Sequence, residues 1–122
     1  MDAKVLFIDD DPSWRELALT TLQDAGYSVV AAQDASEAME RAQNNILGLI
    51  ILDLNLAGES GLTLMHYLRR NHPDVPILLF TGMEHDDSTV RAMLDQGADQ
   101  YLRKGSTEEL IVTVGTYFRQ LG

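Results

Sequence analysis

The 122 residues predict an α/β fold, a doubly wound (βα)5 parallel sheet with strand order 2-1-3-4-5. Three observations carry that expectation. Short aliphatic runs recur along the chain, stretches with apolar residues spaced by three and four lie between them, and the acids gather where the aliphatic runs stop. Strands separated by helices pair in parallel through right-handed crossovers. Helices on both faces of the sheet complete the doubly wound arrangement.

The first run is Lys4-Val5-Leu6-Phe7-Ile8, which stops abruptly at Asp9-Asp10-Asp11. Pro12 suits a first helical turn, and Trp14, Ala18, Thr21, Leu22 and Ala25 form the stripe of the first helix, with Gly26 as its stop. Tyr27 to Ala32 reads as the second strand, and Asp34 or Ser36 offers a cap to a second helix striped by Ala35, Ala38, Met39 and Ala42. Leu49 to Leu52 is the third strand. Leu62, Met65 and Leu68 mark the third helix, closed by His72-Pro73. Ile77 to Phe80 is the fourth strand, followed by a helix on Val90, Met93 and Leu94 that Gly97 closes. Gln100 to Leu102 is the fifth strand. Ser106-Thr107-Glu108-Glu109 places a capping hydroxyl and first-turn acids ahead of a last helix striped by Leu110, Val114, Tyr117, Phe118 and Leu121. Strands 1 and 3 carry the most continuously apolar runs and belong at the centre. Met39, Met65 and Met93 read as core residues, and His66 and His72 as surface residues. One domain over 1–122 is expected, either a stand-alone protein or a piece of a longer one, with a slight preference for the piece.

Composition narrows the function. There is no cysteine, so thiolate catalysis, disulfides and cysteine-ligated zinc are excluded. Nineteen acids oppose nine Lys and Arg residues, a formal charge of −10, which disfavours direct nucleic acid binding and anionic membranes. No apolar run approaches the roughly 20 residues of a membrane span, and no basic-then-apolar leader opens the chain, so a cytoplasmic location is expected.

In a sheet of this kind ligands bind at the carboxyl ends of the strands, beside the switch point between strands 1 and 3. Asp9, Asp10 and Asp11 follow strand 1, Asp53 and Asn55 follow strand 3, Thr81-Gly82 ends strand 4, and Lys104, one of only two lysines, follows strand 5. Carboxylates ~4 Å apart repel by about 4 kcal/mol at an effective dielectric of 20. Either one acid stays protonated or a cation sits among them. An all-oxygen set without imidazole suits a hard ion such as Mg2+. Adding a hydroxyl, a glycine amide open to close approach and an ammonium makes a site for a phosphoryl group, with a carboxylate as its acceptor.

With these residues in view, the chain resembles, over essentially its whole length, the receiver domain of two-component response regulators, flavodoxin-like in fold and close to the chemotaxis regulators. The matching residues are Asp9-Asp10, Asp53 after Leu49-Ile50-Ile51-Leu52, Gly61, Thr81-Gly82, Gly97-Ala98-Asp99 and Lys104. The resemblance implies that Asp53 is the phosphoacceptor, charged by a histidine kinase or a histidine phosphotransfer protein. It implies Mg2+ held by Asp10, Asp53 and the backbone carbonyl of Asn55, with Asp9 acting mainly through a bound water. Thr81 and the Gly82 backbone would contact the phosphoryl group, Lys104 would pair with it, and Tyr101 would be the aromatic switch. Output would pass through helix 4, strand 5 and helix 5, by changing dimerisation or partner affinity. The protein would be a phosphoacceptor rather than a multiple-turnover enzyme.

Three positions depart from the family pattern. Ala57 and Gly105 stand where relatives usually carry proline. Since only proline makes a cis bond cheap, Lys104–Gly105 is expected to be trans. Met83 lies two residues past Thr81 and cannot orient a hydrolytic water, which predicts slow self-dephosphorylation. His85 lies near the site as a candidate phosphate contact, and Trp14 as a candidate reporter of it. A rival reading is a haloacid-dehalogenase-like phosphohydrolase using Asp9 and Asp11, which leaves Asp53 unexplained. A flavodoxin-like cofactor binder is disfavoured because three carboxylates would repel a flavin phosphate.

Overall fold

The computed structural model describes residues 3–56, 58–82 and 85–121, with residues 120 and 121 described by backbone alone. Its elements are β1 (Lys4–Ile8), α1 (Pro12–Asp24), β2 (Val29–Ala32), α2 (Ala35–Asn44), β3 (Leu47–Leu52), β4 (Asn55–Leu56), β5 (Glu59–Ser60), α3 (Gly61–Asn71), β6 (Ile77–Thr81), α4 (Asp87–Asp95), β7 (Gln100–Arg103) and α5 (Thr107–Leu121). The main sheet has the order β2-β1-β3-β6-β7, parallel throughout. Counting only its five strands, this is the expected 2-1-3-4-5. The two short strands β4 and β5 pair with each other as an antiparallel hairpin between Asp53 and α3.

Strand alternation sorts the aliphatic runs into two cores. Leu6, Ile8, Ile50, Leu52, Ile77 and Leu79 face α2, α3 and α4, where Ala38, Met65, Leu68 and Met93 meet them. Val5, Phe7, Leu49, Ile51, Leu78 and Phe80 face α1 and α5, against Ala18, Leu22, Leu110 and Val114. Met65 and Met93 are core residues as expected, whereas Met39 is only partly buried and packs against that core; His66 is exposed and His72 half-buried. Central strands buried on both faces leave their acids nowhere to sit but at the ends, which fixes the site.

Element ends follow local chemistry. Asp11 caps α1 through the Ser13 amide at 2.9 Å, with Pro12 in the first turn. Of the two candidates for α2, Asp34 is the cap, accepting from the Glu37 amide at 2.8 Å, and Ser36 lies inside the helix. Ser106 Oγ accepts from the Glu108 amide at 3.1 Å at the start of α5. The second strand begins at Val29 rather than Tyr27, because the Tyr27 amide closes the end of α1 on the Leu22 carbonyl at 3.0 Å. Strand β3 begins earlier than expected, at Leu47, where a register shift lets Leu47 pair with Lys4. All described peptide bonds are trans, Lys104–Gly105 among them.

Candidate functional site

The ends of β1, β3, β6 and β7 deliver Asp9, Asp53, Thr81 and Lys104 to one rim of the sheet. The β1–β3 pairing sets Ile8 beside Leu52, so the residues that follow are neighbours, and the Asp53 amide donates to the Ile8 carbonyl at 2.9 Å. The β6–β7 pairing sets Thr81 beside Arg103, and the Lys104 amide donates to the Thr81 carbonyl at 2.8 Å. Residues 45 apart (Ile8 and Asp53) and 23 apart (Thr81 and Lys104) in sequence are thereby fixed together by backbone hydrogen bonds rather than by their own side chains.

Asp9 and Thr81 are fully buried, and Asp53 is 6% exposed. The Asp9 carboxylate takes the Asp11 amide on Oδ1 at 2.9 Å and lies 2.6 Å from Lys104 Nζ through Oδ2. Asp53 takes the Asn55 amide on Oδ1 at 3.2 Å and Lys104 Nζ on Oδ2 at 3.2 Å. Asp10 is the most exposed of the three acids, and one oxygen from each of Asp9, Asp10 and Asp53 lies within 4.8 Å of the others. Three carboxylates face one ammonium, which leaves two negative charges uncompensated when all are ionised. That donor set, all oxygen and open on the Asp10 side, fits a hard divalent cation that keeps part of its water.

The electrostatics agree with this accounting. Burial pushes the Asp9 carboxyl above its ordinary value, against the opposing pull of Lys104 and the Asp11 amide; the charge of Asp53 pushes it further up. Burial alone would draw the Lys104 ammonium down, but Asp9 and Asp53 together hold it above its ordinary value. The lysine is therefore charged at neutral pH, and the pocket keeps a fixed cation beside Asp53.

Glycine makes the geometry possible at Gly61 and leaves open space at Gly82. A Cβ at Gly61 would lie 2.6 Å from the Asp53 carbonyl oxygen and 2.6 Å from Leu54 Cα, so only glycine lets α3 start against the backbone that carries Asp53. At Gly82 the space a side chain would enter is bordered by Lys104 Cδ at 3.8 Å, so the lysine stem lies across an open backbone.

Every expected site residue of the described set is placed. Asp9, Asp10, Asp53 and Lys104 converge, Thr81 and Gly82 border them, and Asn55 bonds Asp53. Tyr101 is half-buried on β7, edge-on to the His85 ring at 5.9 Å. His85 thus faces the tyrosine, and its buried Nε2 has no hydrogen-bond partner among the described residues. Met83 and Ala57, which carried two of the departures, lie outside the described residues. Asp11 is exposed and spent on the α1 cap, so the geometry lends the hydrolase reading no support. Two residues escaped the sequence reading. Arg15 donates to the Asp9 backbone carbonyl at 2.8 Å and props the acid loop. Glu59 accepts from the Ala35 amide at 2.9 Å, tying the hairpin after Asp53 to the start of α2. The only advance sign of either was a charged residue close to a motif.

Comparison with known proteins agrees with the geometry. Residues 5–114 match the family model of the response regulator receiver domain. The chain is 36% identical over 121 residues to the response regulator MprA of Mycobacterium sp. (strain KMS), covering 98% of this chain and 52% of that protein. It is 38% identical over 104 residues to the response regulator protein FleR of Pseudomonas aeruginosa, covering 85% of this chain and 22% of that protein. Among solved structures, the chemotaxis protein CheY4 of Vibrio cholerae superposes with a TM-score of 0.88 at 33% identity, covering 96% of this chain and 99% of that one. The chain spans about half the length of the curated MprA relatives it matches. No helix among the described residues is long and apolar enough to cross a membrane.

Proposed function

Because the chain belongs to the response regulator receiver domain family, we propose that Asp53 is its phosphoacceptor. In this reading a phosphohistidine on a histidine kinase or a histidine phosphotransfer protein is the donor. An Asp53 carboxylate oxygen attacks phosphorus, the O–P bond forms as the N–P bond breaks, and the imidazole leaves and recovers a proton. Asp10, Asp53 and the Asn55 carbonyl would hold Mg2+, with Asp9 acting through water, and the ion when bound would neutralise charge on the phosphoryl oxygens. The single observation that carries the reading is the 3.2 Å contact between Asp53 Oδ2 and a lysine whose charge two acids secure against burial. Lys104 is already where the incoming oxygens need a cation, so little reorganisation is required at transfer.

The remaining roles follow from placement. Thr81, at the end of β6, would donate its hydroxyl to a phosphoryl oxygen, with the Gly82 amide beside it. Drawing Thr81 inward would carry the loop after β6 with it, and Tyr101 would turn inward in the space that opens. The surface of α4, β7 and α5 would then change its affinity for a partner or for a second copy of the chain. The unit over residues 1–122 would act as one receiver domain in the cytoplasm, taking one phosphoryl group per chain rather than turning over. With methionine at position 83, two residues past Thr81 in sequence and unable to orient a water, the acyl phosphate would outlast the seconds typical of a fast switch. Direct contact with nucleic acid or a membrane is not part of this role for a unit of charge −10.

Intact mass after acetyl phosphate and Mg2+ tests the proposal. One added phosphoryl group on the wild type, absent from Asp53→Ala, is the expected result. No adduct, or an unchanged adduct in the variant, would overturn it.

A further inference from the structure

Lys104 has a third neighbour that neither the acid cluster nor the family motif supplies. Its Nζ lies over the Trp14 ring, 5.4 Å from the centroid. That is within cation–π range. The indole is itself held edge-on by Phe80 at 5.3 Å and 88°, and Phe80 meets Phe7 at 6.2 Å. Phe7 and Phe80 are each 1% exposed, so the stack roots Trp14 in two strands of the sheet. The ammonium therefore has Asp9 Oδ2 at 2.6 Å, Asp53 Oδ2 at 3.2 Å and an aromatic ring against it. Its side chain is left 10% exposed. Phe80 also directly precedes Thr81, so one indole touches both the lysine and the strand that ends in the hydroxyl.

We propose that Trp14 is the positioning residue of Lys104: its ring holds the ammonium over the Asp9–Asp53 carboxylate pair and so sets how fast Asp53 takes up a phosphoryl group. The proposal rests on Asp53 being the acceptor. A lysine stem has four rotatable carbons and a strong preference for water. Two carboxylates draw the ammonium in, and the ring closes the side from which water would draw it back. Without the ring, the ammonium spends part of its time outside the pocket, and the attacking carboxylate loses its partner for that fraction.

The test uses initial rates of Asp53 labelling by acetyl phosphate in Mg2+, read by intact mass, for wild type, Trp14→Phe and Trp14→Leu. Phenylalanine keeps a ring, and leucine keeps only apolar bulk. Trp14→Phe is expected within twofold of wild type, and Trp14→Leu roughly threefold to tenfold slower. In a Lys104→Met background, the leucine change is expected to add nothing. Equal rates for the two Trp14 variants, or a leucine effect that persists in full without the lysine, would overturn the proposal. Should Trp14→Leu lose its fold by circular dichroism, Trp14→Met supplies the same comparison. A second readout needs no phosphoryl group. Trp14 is the sole tryptophan, so emission belongs to it alone. Removing the ammonium in Lys104→Met is expected to change its intensity, and an unchanged spectrum would mean that the contact does not exist in solution. A wild type that takes no adduct would sink the acceptor reading itself, while a labelled wild type with indifferent Trp14 variants would sink only the positioning role.

Discussion

At the amino end of the sheet one cation meets four acceptors, and at the carboxyl end one cation meets two carboxylates of a cluster of three. Arg69 of α3 donates to the Gly97 carbonyl at 2.8 Å, to Pro73 and Val75 carbonyls at 3.0 and 2.9 Å, and to Asp99 Oδ2 at 2.6 Å. The same Asp99 oxygen takes the Ile77 amide at 2.8 Å. One guanidinium thus ties the exit of α3 to the starts of β6 and β7, and every partner is an acceptor suited to it. Lys104 is outnumbered instead, and Asp9 is buried without enough positive charge to balance the cluster. The first arrangement is complete by itself, whereas the second is completed only by something added. A receiver needs both: a frame that stays put and a pocket whose energy depends on what enters it.

The sharpest way to break this contrast is Lys104→Met. Removing one partner of a buried ion pair leaves Asp9 facing Asp53 and Asp10 with no cation, at a cost of about 3–5 kcal/mol at neutral pH. The sign with pH follows from the carboxyl that is left. Burial, no longer opposed by lysine, raises the folded-state value of Asp9 further above its ordinary 3.8. A raised folded value is favourable below the unfolded one and costs stability as pH climbs past it. Urea midpoints of the variant should therefore approach wild type near pH 4 and fall away toward pH 7. Mg2+ should restore part of the loss. A penalty indifferent to both pH and Mg2+ would refute the electrostatic account.

Arg69→Ala probes the other end and should behave differently in kind. Losing the clamp costs about 2–3 kcal/mol, because the guanidinium is 26% exposed and water recovers part of the bonding at the bared carbonyls. The loss should be the same with and without Mg2+, and acetyl phosphate labelling of the folded variant should match wild type. A changed labelling rate would mean that the two ends are coupled through α3.

Asp10→Asn should move stability the opposite way. Asp10 sits among like charges and is the most exposed of the three acids, so removing its charge should stabilise the protein by about 1 kcal/mol in dilute buffer. The gain should shrink in molar sodium chloride, and the variant should bind Mg2+ more weakly. Urea titrations at two salt concentrations read the first effect, and calorimetric titration with Mg2+ the second.

The contrast also explains what could be read in advance. Val5 to Ile8 and Leu49 to Leu52 announce central strands because a parallel strand buried on both faces tolerates no polar residue until it ends. Asp9, Asp53 and Thr81 were legible for the complementary reason, since each is the first polar residue after such a run; Lys104 comes one residue later, behind Arg103, and the topology sends all those ends to one rim. Arg69 was not legible. It lies on the exposed-looking side of a helical stripe, and its partners Gly97 and Asp99 are 28 and 30 residues away, joined to it only by the docking of α3. Gly97 announced itself as a helix stop, a role it keeps with φ 133°, while its carbonyl bond to Arg69 left no mark in the local pattern. Trp14 was legible as a stripe residue, but the ring that faces Lys104 depends on where the first turn of α1 meets Phe80 of β6. Local chemistry announces where a chain turns and what it leaves at the turn, and it is silent about long side chains that reach across elements.

The smallest effect lies back at the amino end. Tyr117 of α5 donates its hydroxyl to Gln100 Oε1 at 2.9 Å, beside the Arg69 clamp on Asp99. Burial raises its phenol above the ordinary 10.0, and the charge of Asp99 adds to the rise. The neutral phenol therefore favours the folded state below that value, and the contribution disappears as pH rises through it. Tyr117→Phe loses one neutral hydrogen bond, about 0.5–1 kcal/mol at pH 7. It should also flatten the decline in urea midpoint between pH 9 and 11, because the variant has no phenol to ionise. The raised Lys104 ammonium adds its own decline as the unfolded lysine discharges ahead of the folded one, so the residual slope of the phenylalanine variant reports the carboxyl end, and Lys104→Met should remove that remainder while leaving the tyrosine component untouched. If Lys104→Met reduced both components alike, the two ends would not be the independent systems that their separate hydrogen-bond networks describe.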